Sequence, residues 1–144
     1  MKLNIIAVGS LSKEYQIIFN DYLKKVNYFA KVNIFEIKEQ KIENIELKKE
    51  KETKLIIEKI PKNSTVIYLS LNAKQLDSYE FAEKIVNVDN ITFVIGGSNG
   101  VKEEFFENKI NFSKLTFPHQ LFRIMLIEQI YRAFTIKNNI TYHK

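Results

Sequence analysis

Three stretches of the chain, Leu3–Val8, Val66–Leu71 and Ile91–Ile95, are apolar runs without alternation. A strand with one wet face alternates apolar and polar residues. A run that does not alternate is covered on both faces, which is the environment of a parallel sheet with helices above and below it. The intervening segments supply the helices. Tyr15, Ile18, Phe19, Tyr22, Leu23 and Val26 recur at helical spacing, with Ser12 placed to cap them. Val32–Ile37 alternates and reads as a strand, and Ile45–Ile60 as a charged helix closed by Pro61. Tyr79–Val88 reads as a helix capped by Asp77 or Ser78. A short helix over Val101–Glu107, a short fifth strand over Asn111–Thr116, a last helix over His119–Ile136 and a polar tail complete the order. Strands alternate with helices throughout, so residues 1–144 are expected to form one α/β domain around a parallel sheet.

Composition narrows the chemistry. At 45% hydrophobic and 12% aromatic residues, the chain of 144 can bury a substantial core. It has no cysteine, which excludes a disulfide framework, a thiolate nucleophile and a cysteine-ligated metal, and fits a reducing compartment. With only His119 and His143 besides, no metal site is expected. The apolar start, Met1–Ile6, is too short for a signal peptide, and no run approaches a membrane span. The net charge of +5 admits a polyanion such as RNA as partner. The Lys38–Lys54 stretch, with six lysines against five glutamates, reads instead as a solvated helix face.

In open α/β sheets, ligands bind outside the carboxyl ends of the strands. Leu69–Ala73, Gly96–Gly100 and Ser113–Pro118 all fall there. Three of the four glycines and one of the two prolines belong to the last two segments. The Gly96-Gly97-Ser98-Asn99-Gly100 loop has neither the lysine and spacing of a P-loop nor the dinucleotide fingerprint. It is either a tight turn or the main-chain wall of a small-molecule pocket, and its pairing with Ser113–Pro118 favours the wall. His119, at a helix start, either orients that loop or takes part in catalysis. No serine sits in a nucleophile elbow.

The last helix is apolar nearly all round, from Leu121 to Ile136. Such a helix is buried on more than one side. One sheet covers one side, which points to a second subunit on the other. Glu128 and Arg132 stand four apart, either as a surface pair or with Glu128 holding Arg132 toward a substrate phosphate. The end, Asn138–Lys144, is either frayed or a tool for RNA. Tyr142, His143 and Lys144 combine an aromatic ring, an imidazole and an ammonium, which suit base stacking and phosphate contact.

Three blocks carry a resemblance: Phe93–Gly100, Phe112–Leu121, and Glu128–Phe134 with the terminal Tyr142-His143-Lys144. With Met1–Leu3 and Ala7–Gly9, they resemble the methyltransferase H family of large-subunit ribosomal RNA, in the SPOUT class. The resemblance implies an α/β fold with a deep C-terminal trefoil knot and S-adenosylmethionine as methyl donor. It implies a homodimer that methylates ring nitrogen 3 of a pseudouridine in 23S ribosomal RNA of the assembled ribosome, in the cytoplasm, with no membrane or metal partner. Carried over by position, Leu69, Leu71, Gly97, Ser113, Lys114, Leu115, Thr116, Phe117 and Pro118 would bind the cofactor, with the choice between the two leucines open. His119, Arg132, Tyr142 and His143 would place the base or aid proton loss. Thr141 stands where the family often has proline, which loosens the expected tail geometry. The rival readings are a non-catalytic knotted RNA-binding or ribosome-assembly protein, and a transfer RNA methyltransferase of the same class.

Overall fold

The unalternating strands are sandwiched as their composition requires. The computed structural model describes all 144 residues. Its elements are β1 (Lys2–Val8), α1 (Lys13–Val26), β2 (Lys31–Ile37), α2 (Ile45–Lys59), β3 (Thr65–Leu69), α3 (Ser78–Val86), β4 (Asn90–Ile95), a single 3-10 turn (Glu103–Phe105), β5 (Lys109–Ile110) and α4 (His119–Lys137). The five strands lie in the order β2-β1-β4-β3-β5, with every pairing parallel. Successive residues of β1 serve opposite faces. Leu3, Ile5 and Ala7 join the larger core, which α1, α3 and α4 cover through Phe19, Phe81, Ile127 and Ile130. Ile6 and Val8 join the smaller core under α2, with Ile56, Val94, Val101 and Phe106.

A polar row crosses the middle of the sheet. The Asn4 amide, 2% exposed, donates to the Ile91 carbonyl, Thr92 Oγ1 and Asn90 Oδ1, while its own oxygen accepts from Asn33. Thr92 in turn meets the Ser64 hydroxyl at 2.5 Å. Buried polar groups persist where they are satisfied. Here their partners exist in one register only, so the row pins β2, β1 and β4 against slippage.

Three expectations need correction. The fifth strand is Lys109–Ile110, and Asn111–Thr116 forms a loop. Asn111 Oδ1 accepts the Ser113 N–H and Ser113 Oγ accepts the Leu115 N–H, so local side chains take the backbone donors that a ladder would use. The helix expected over Val101–Glu107 shrinks to the 3-10 turn, because Val101 and Phe106 must both reach the α2-side core. Phe106 stacks on Tyr68 with ring centroids 5.2 Å apart. Finally, α4 packs against both α1 and α3 within the chain, which cover much of its apolar circumference. No helix is long and apolar enough to cross a membrane.

The caps are more specific than expected. Asp77 makes a full capping box with Glu80 at the start of α3. Ser12 occupies the cap position of α1 without a side-chain cap bond; its N–H donates to Gln120 Oε1 at 2.5 Å, tying the β1–α1 loop to the start of α4.

Ile127 is fully buried in the chain's own core. Ile127→Glu is therefore expected to cost more than about 4 kcal/mol, as an unpaired buried charge does, and to leave an unfolded chain. Circular dichroism of the variant checks this; a cooperative thermal transition near that of the wild type would contradict it.

Candidate functional site

Because β1, β4, β3 and β5 run in parallel, the loops leaving their carboxyl ends gather at one edge. Three of these loops surround a cleft of about 430 Å³, within the usual range for small-molecule sites. Leu69, Ile95, Ile110, Phe112, Phe117 and Phe122 give it apolar walls. Its polar corner is built on Glu103, which accepts from Ser70 Oγ at 2.5 Å and from Asn72 Nδ2 at 2.9 Å. Tyr68 lies at the base; burial, with the Glu103 charge adding to it, pushes its phenol up to about 12. Of the residues expected here, Leu69, Leu71, Gly97, Ser113, Leu115, Thr116 and Phe117 line the cleft. Leu69 is 9% exposed and forms the wall, whereas Leu71, 61% exposed, stands at the rim. Lys114 and Pro118 do not line it: Lys114 is exposed in the loop, and Pro118 caps α4. Ser70, Asn72 and Glu103 were not singled out from the sequence; isolated polar residues in loops carry no periodic signal.

The four residues expected to handle the base fall into two groups. His119 lines the cleft. Arg132 sits thirteen positions further along α4, about 20 Å away at the rise of an α-helix. Tyr142 and His143 gather around Arg132, so the tail is not frayed. It is turned back by a Schellman arrangement: Asn139 adopts φ 55°, and the Ile140 N–H reaches the Thr135 carbonyl at 2.9 Å. Asparagine tolerates that conformation, and the Asn138-Asn139 pair was the available signal.

Glu128 organises the group. Its Oε1 accepts from Arg132 Nη2 at 2.5 Å and from the Tyr142 hydroxyl at 3.0 Å. Burial first, and then this carboxylate, raise the Tyr142 phenol far above the ordinary tyrosine range, so it stays a neutral donor. The guanidinium also lies 4.9 Å from the Tyr142 ring centroid. Arg132 Nη1 meets His143 Nδ1 at 3.1 Å. Arginine only donates, so Nδ1 is the acceptor and His143 is neutral, with its proton on Nε2. Tyr79 packs edge-on against this imidazole at 4.8 Å.

The glycine loop leans on α2, a contact the sequence did not disclose. A Cβ on Gly97 would stand 2.7 Å from Glu52 Oε1 and 3.2 Å from Val8 Cγ1. Glu52 is fully buried; its Oε2 accepts the Gln40 N–H, and its Oε1 has no partner. Lys48 Nζ reaches Glu39, Ser98 and Asn99, and Thr53 Oγ1 accepts the Lys102 N–H. The Lys48 hydrogen bond holds Glu39 below the usual carboxylate range. Gly97 is thus required by packing against Glu52 and Val8. Gly97→Ala is expected to lower the thermal midpoint, and Gly97→Ala with Glu52→Ala to lose less than the sum of the single losses, with a coupling of about 1 kcal/mol. Denaturant titration of the four proteins measures this; strict additivity would contradict it.

Comparison with known proteins agrees with this architecture. The family described as Predicted SPOUT methyltransferase matches residues 1–143. The ribosomal RNA large subunit methyltransferase H of Mycoplasmopsis synoviae (strain 53) is 63% identical over the full length of both chains. That of Metamycoplasma arthritidis (strain 158L3-1) is 64% identical over the full length of both. A protein of the same name from Clostridium perfringens (strain 13 / Type A) is 43% identical, again over the full length of both. The chain therefore belongs to the SPOUT methyltransferases and, within them, to the ribosomal RNA large subunit methyltransferase H family.

Proposed function

We propose that this chain transfers a methyl group from S-adenosylmethionine to ring nitrogen 3 of a pseudouridine in 23S ribosomal RNA, on assembled ribosomes in the cytoplasm. The observation that carries this reading is the closure of three strand-end loops around one cleft in a chain of this family. The residues fit the donor. Leu69, Ile110 and Phe117 offer an apolar slot for adenine, with Leu71 at the rim and Ser113, Leu115 and Thr116 placed to close around the ring. The Glu103 carboxylate, with Ser70 and Asn72, suits hydroxyl or amino groups. Gly97 gives close backbone approach. When bound, the cofactor supplies an electrophilic methyl on a sulfonium.

The acceptor nitrogen must lose its proton. His119 is the group we place in that role. It lines the cleft, is half-buried, and its ring is free, since His143 alone of the two histidines is hydrogen-bonded through its ring. Tyr142 is held as a donor to Glu128 and His143 Nδ1 already accepts from Arg132, so neither is free to act as the base and both suit contact with RNA. Arg132 adds positive charge for phosphate. The RNA-facing cluster stands about 20 Å from His119 on the same helix. This supports a two-fold dimer across α4 in which the tail of one subunit completes the cleft of the other. The strand order supports the knot: the chain leaves β4, passes beyond β3 to pair β5 at the edge, and returns to α4 between α1 and α3.

Deletion of Tyr142–Lys144 and, separately, His119→Ala are each expected to slow single-turnover methylation of isolated ribosomes by about 100-fold. Cofactor affinity by calorimetry should stay within about threefold, because neither change touches the apolar slot. Wild-type rates in both variants would sink the assignment. The wild type is expected to sediment as a dimer at micromolar concentration. Met125→Glu, at a half-buried position on α4, should give a folded monomer; a monomeric wild type would contradict the dimer.

A further inference from the structure

The tail cluster does not end at Arg132. Its guanidinium is bound by the Glu128 carboxylate at 2.5 Å and lies 4.9 Å from the Tyr142 ring centroid. Tyr142 packs edge-on against Tyr131, with ring centroids 4.8 Å apart. Over Tyr131 sits a second cation, which neither the tail nor α4 supplies. Lys25, in the last turn of α1, holds its Nζ 5.4 Å from the Tyr131 centroid and 5.3 Å from that of Tyr22. Arg132, Tyr142, Tyr131 and Lys25 thus form a row of cation, ring, ring and cation that joins the tail to α1.

The two cations differ in what balances them. Glu128 offsets the charge of Arg132. Lys25 is in no ion pair. A carboxylate was at hand, since Asp21 stands four residues earlier on α1, at the spacing of a helical ion pair. The ammonium turns to two aromatic rings instead. A position in the last turn of a helix accounts for a lysine there, and Lys24 shares that position. It does not account for the rings, which hold Lys25 alone. An aromatic seat fixes an ammonium in place without neutralising it. Lys25 is also exposed. A charge that is held, unbalanced and open to solvent suits the phosphate of a single-stranded nucleic acid, and its rings reduce the entropy lost on contact.

We propose that Lys25 binds the acceptor RNA, with its seated ammonium on a backbone phosphate beside the nucleotide that Tyr142 and His143 contact. The inference rests on the RNA partner of the function proposed above. It brings α1 into the RNA-facing surface and supplies a full positive charge next to the half-balanced Arg132.

Lys25→Gln removes the charge and keeps a polar side chain. Lys24→Gln removes the neighbouring charge that no ring holds, and Lys25→Arg restores a cation. Binding of each to isolated ribosomes is measured over a range of salt concentrations, beside thermal unfolding, sedimentation and calorimetric titration with S-adenosylmethionine. Lys25→Gln is expected to weaken ribosome binding about tenfold at low salt and to reduce the slope of log affinity against log salt by about one. Lys25→Arg should recover the slope, and Lys24→Gln should stay within about twofold of the wild type. The midpoint, the dimer and the donor affinity should be those of the wild type in all three. An unchanged salt slope in Lys25→Gln would overturn the inference. An equal loss in Lys24→Gln would also overturn it, because the attraction would then be a diffuse field. Dissociation of the dimer in Lys25→Gln would overturn it as well, by making Lys25 an interface group. A wild type that binds ribosomes without methylating them would sink the functional reading and leave Lys25 on RNA; one that does not bind them would overturn both.

Discussion

The carboxyl ends of β1, β4 and β3 come level at one edge because a buried polar row locks the strands in register. Asn4 binds both neighbours, Asn33 on β2 and the Ile91–Thr92 backbone and side chain on β4, and Thr92 carries the row on to Ser64 before β3. A slip of one residue would turn Ile6 and Val8 to the wrong core and leave Asn4 unpaired. It would also move Gly9 and Gly97 apart from Ser70. The cleft depends on this alignment, since its loops leave these strands.

Helix α4 adds the second constraint. Its first turn supplies His119 to the cleft, Arg123 lies one turn on, and its last turns anchor the tail. Its middle, around Ile127 and Ile130, is core. The helix is therefore a rigid spacer between a loop-built pocket and an outward cluster of Glu128, Arg132, Tyr142 and His143. A rigid spacer of about 20 Å prevents the two groups from meeting within one chain. In the proposed dimer it sets the distance over which a partner's tail must reach. Glu128 orders the tail in advance; in the proposed site, an aromatic ring and a guanidinium fixed before RNA arrives would lose less entropy on binding.

Much of this was legible in the residues. The unalternating runs at Leu3–Val8 and Ile91–Ile95 announced a sheet covered on both sides, and the three loops of the cleft followed from the rule about strand ends. Local competition hid the rest. Asn111 and Ser113 look like strand residues by position but bond their own backbone, so β5 lies upstream of its expected place. The apolar surplus of α4 pointed to a second subunit, yet α1 and α3 absorb much of it, and Ile127 lies in the chain's own core. Glu52 lies in a stretch that reads as a solvated, lysine-rich face; its burial beside Gly97 is a tertiary fact without periodic trace. Arg123 was hidden likewise, one of several charges on a largely apolar helix. The catalytic and cofactor roles came from the resemblance, because no spacing in the chain identifies a methyl donor.

The two-subunit site is tested most directly by mixing two inactive variants. One subunit lacks Tyr142–Lys144 but keeps its cleft; the other carries His119→Ala but keeps its tail. After subunit exchange, half of the dimers contain one of each, and one of their two sites is whole. The composite site predicts that the mixture regains roughly a quarter of wild-type methylation of ribosomes. A mixture no more active than its separate components, with exchange confirmed by mass spectrometry, would contradict it.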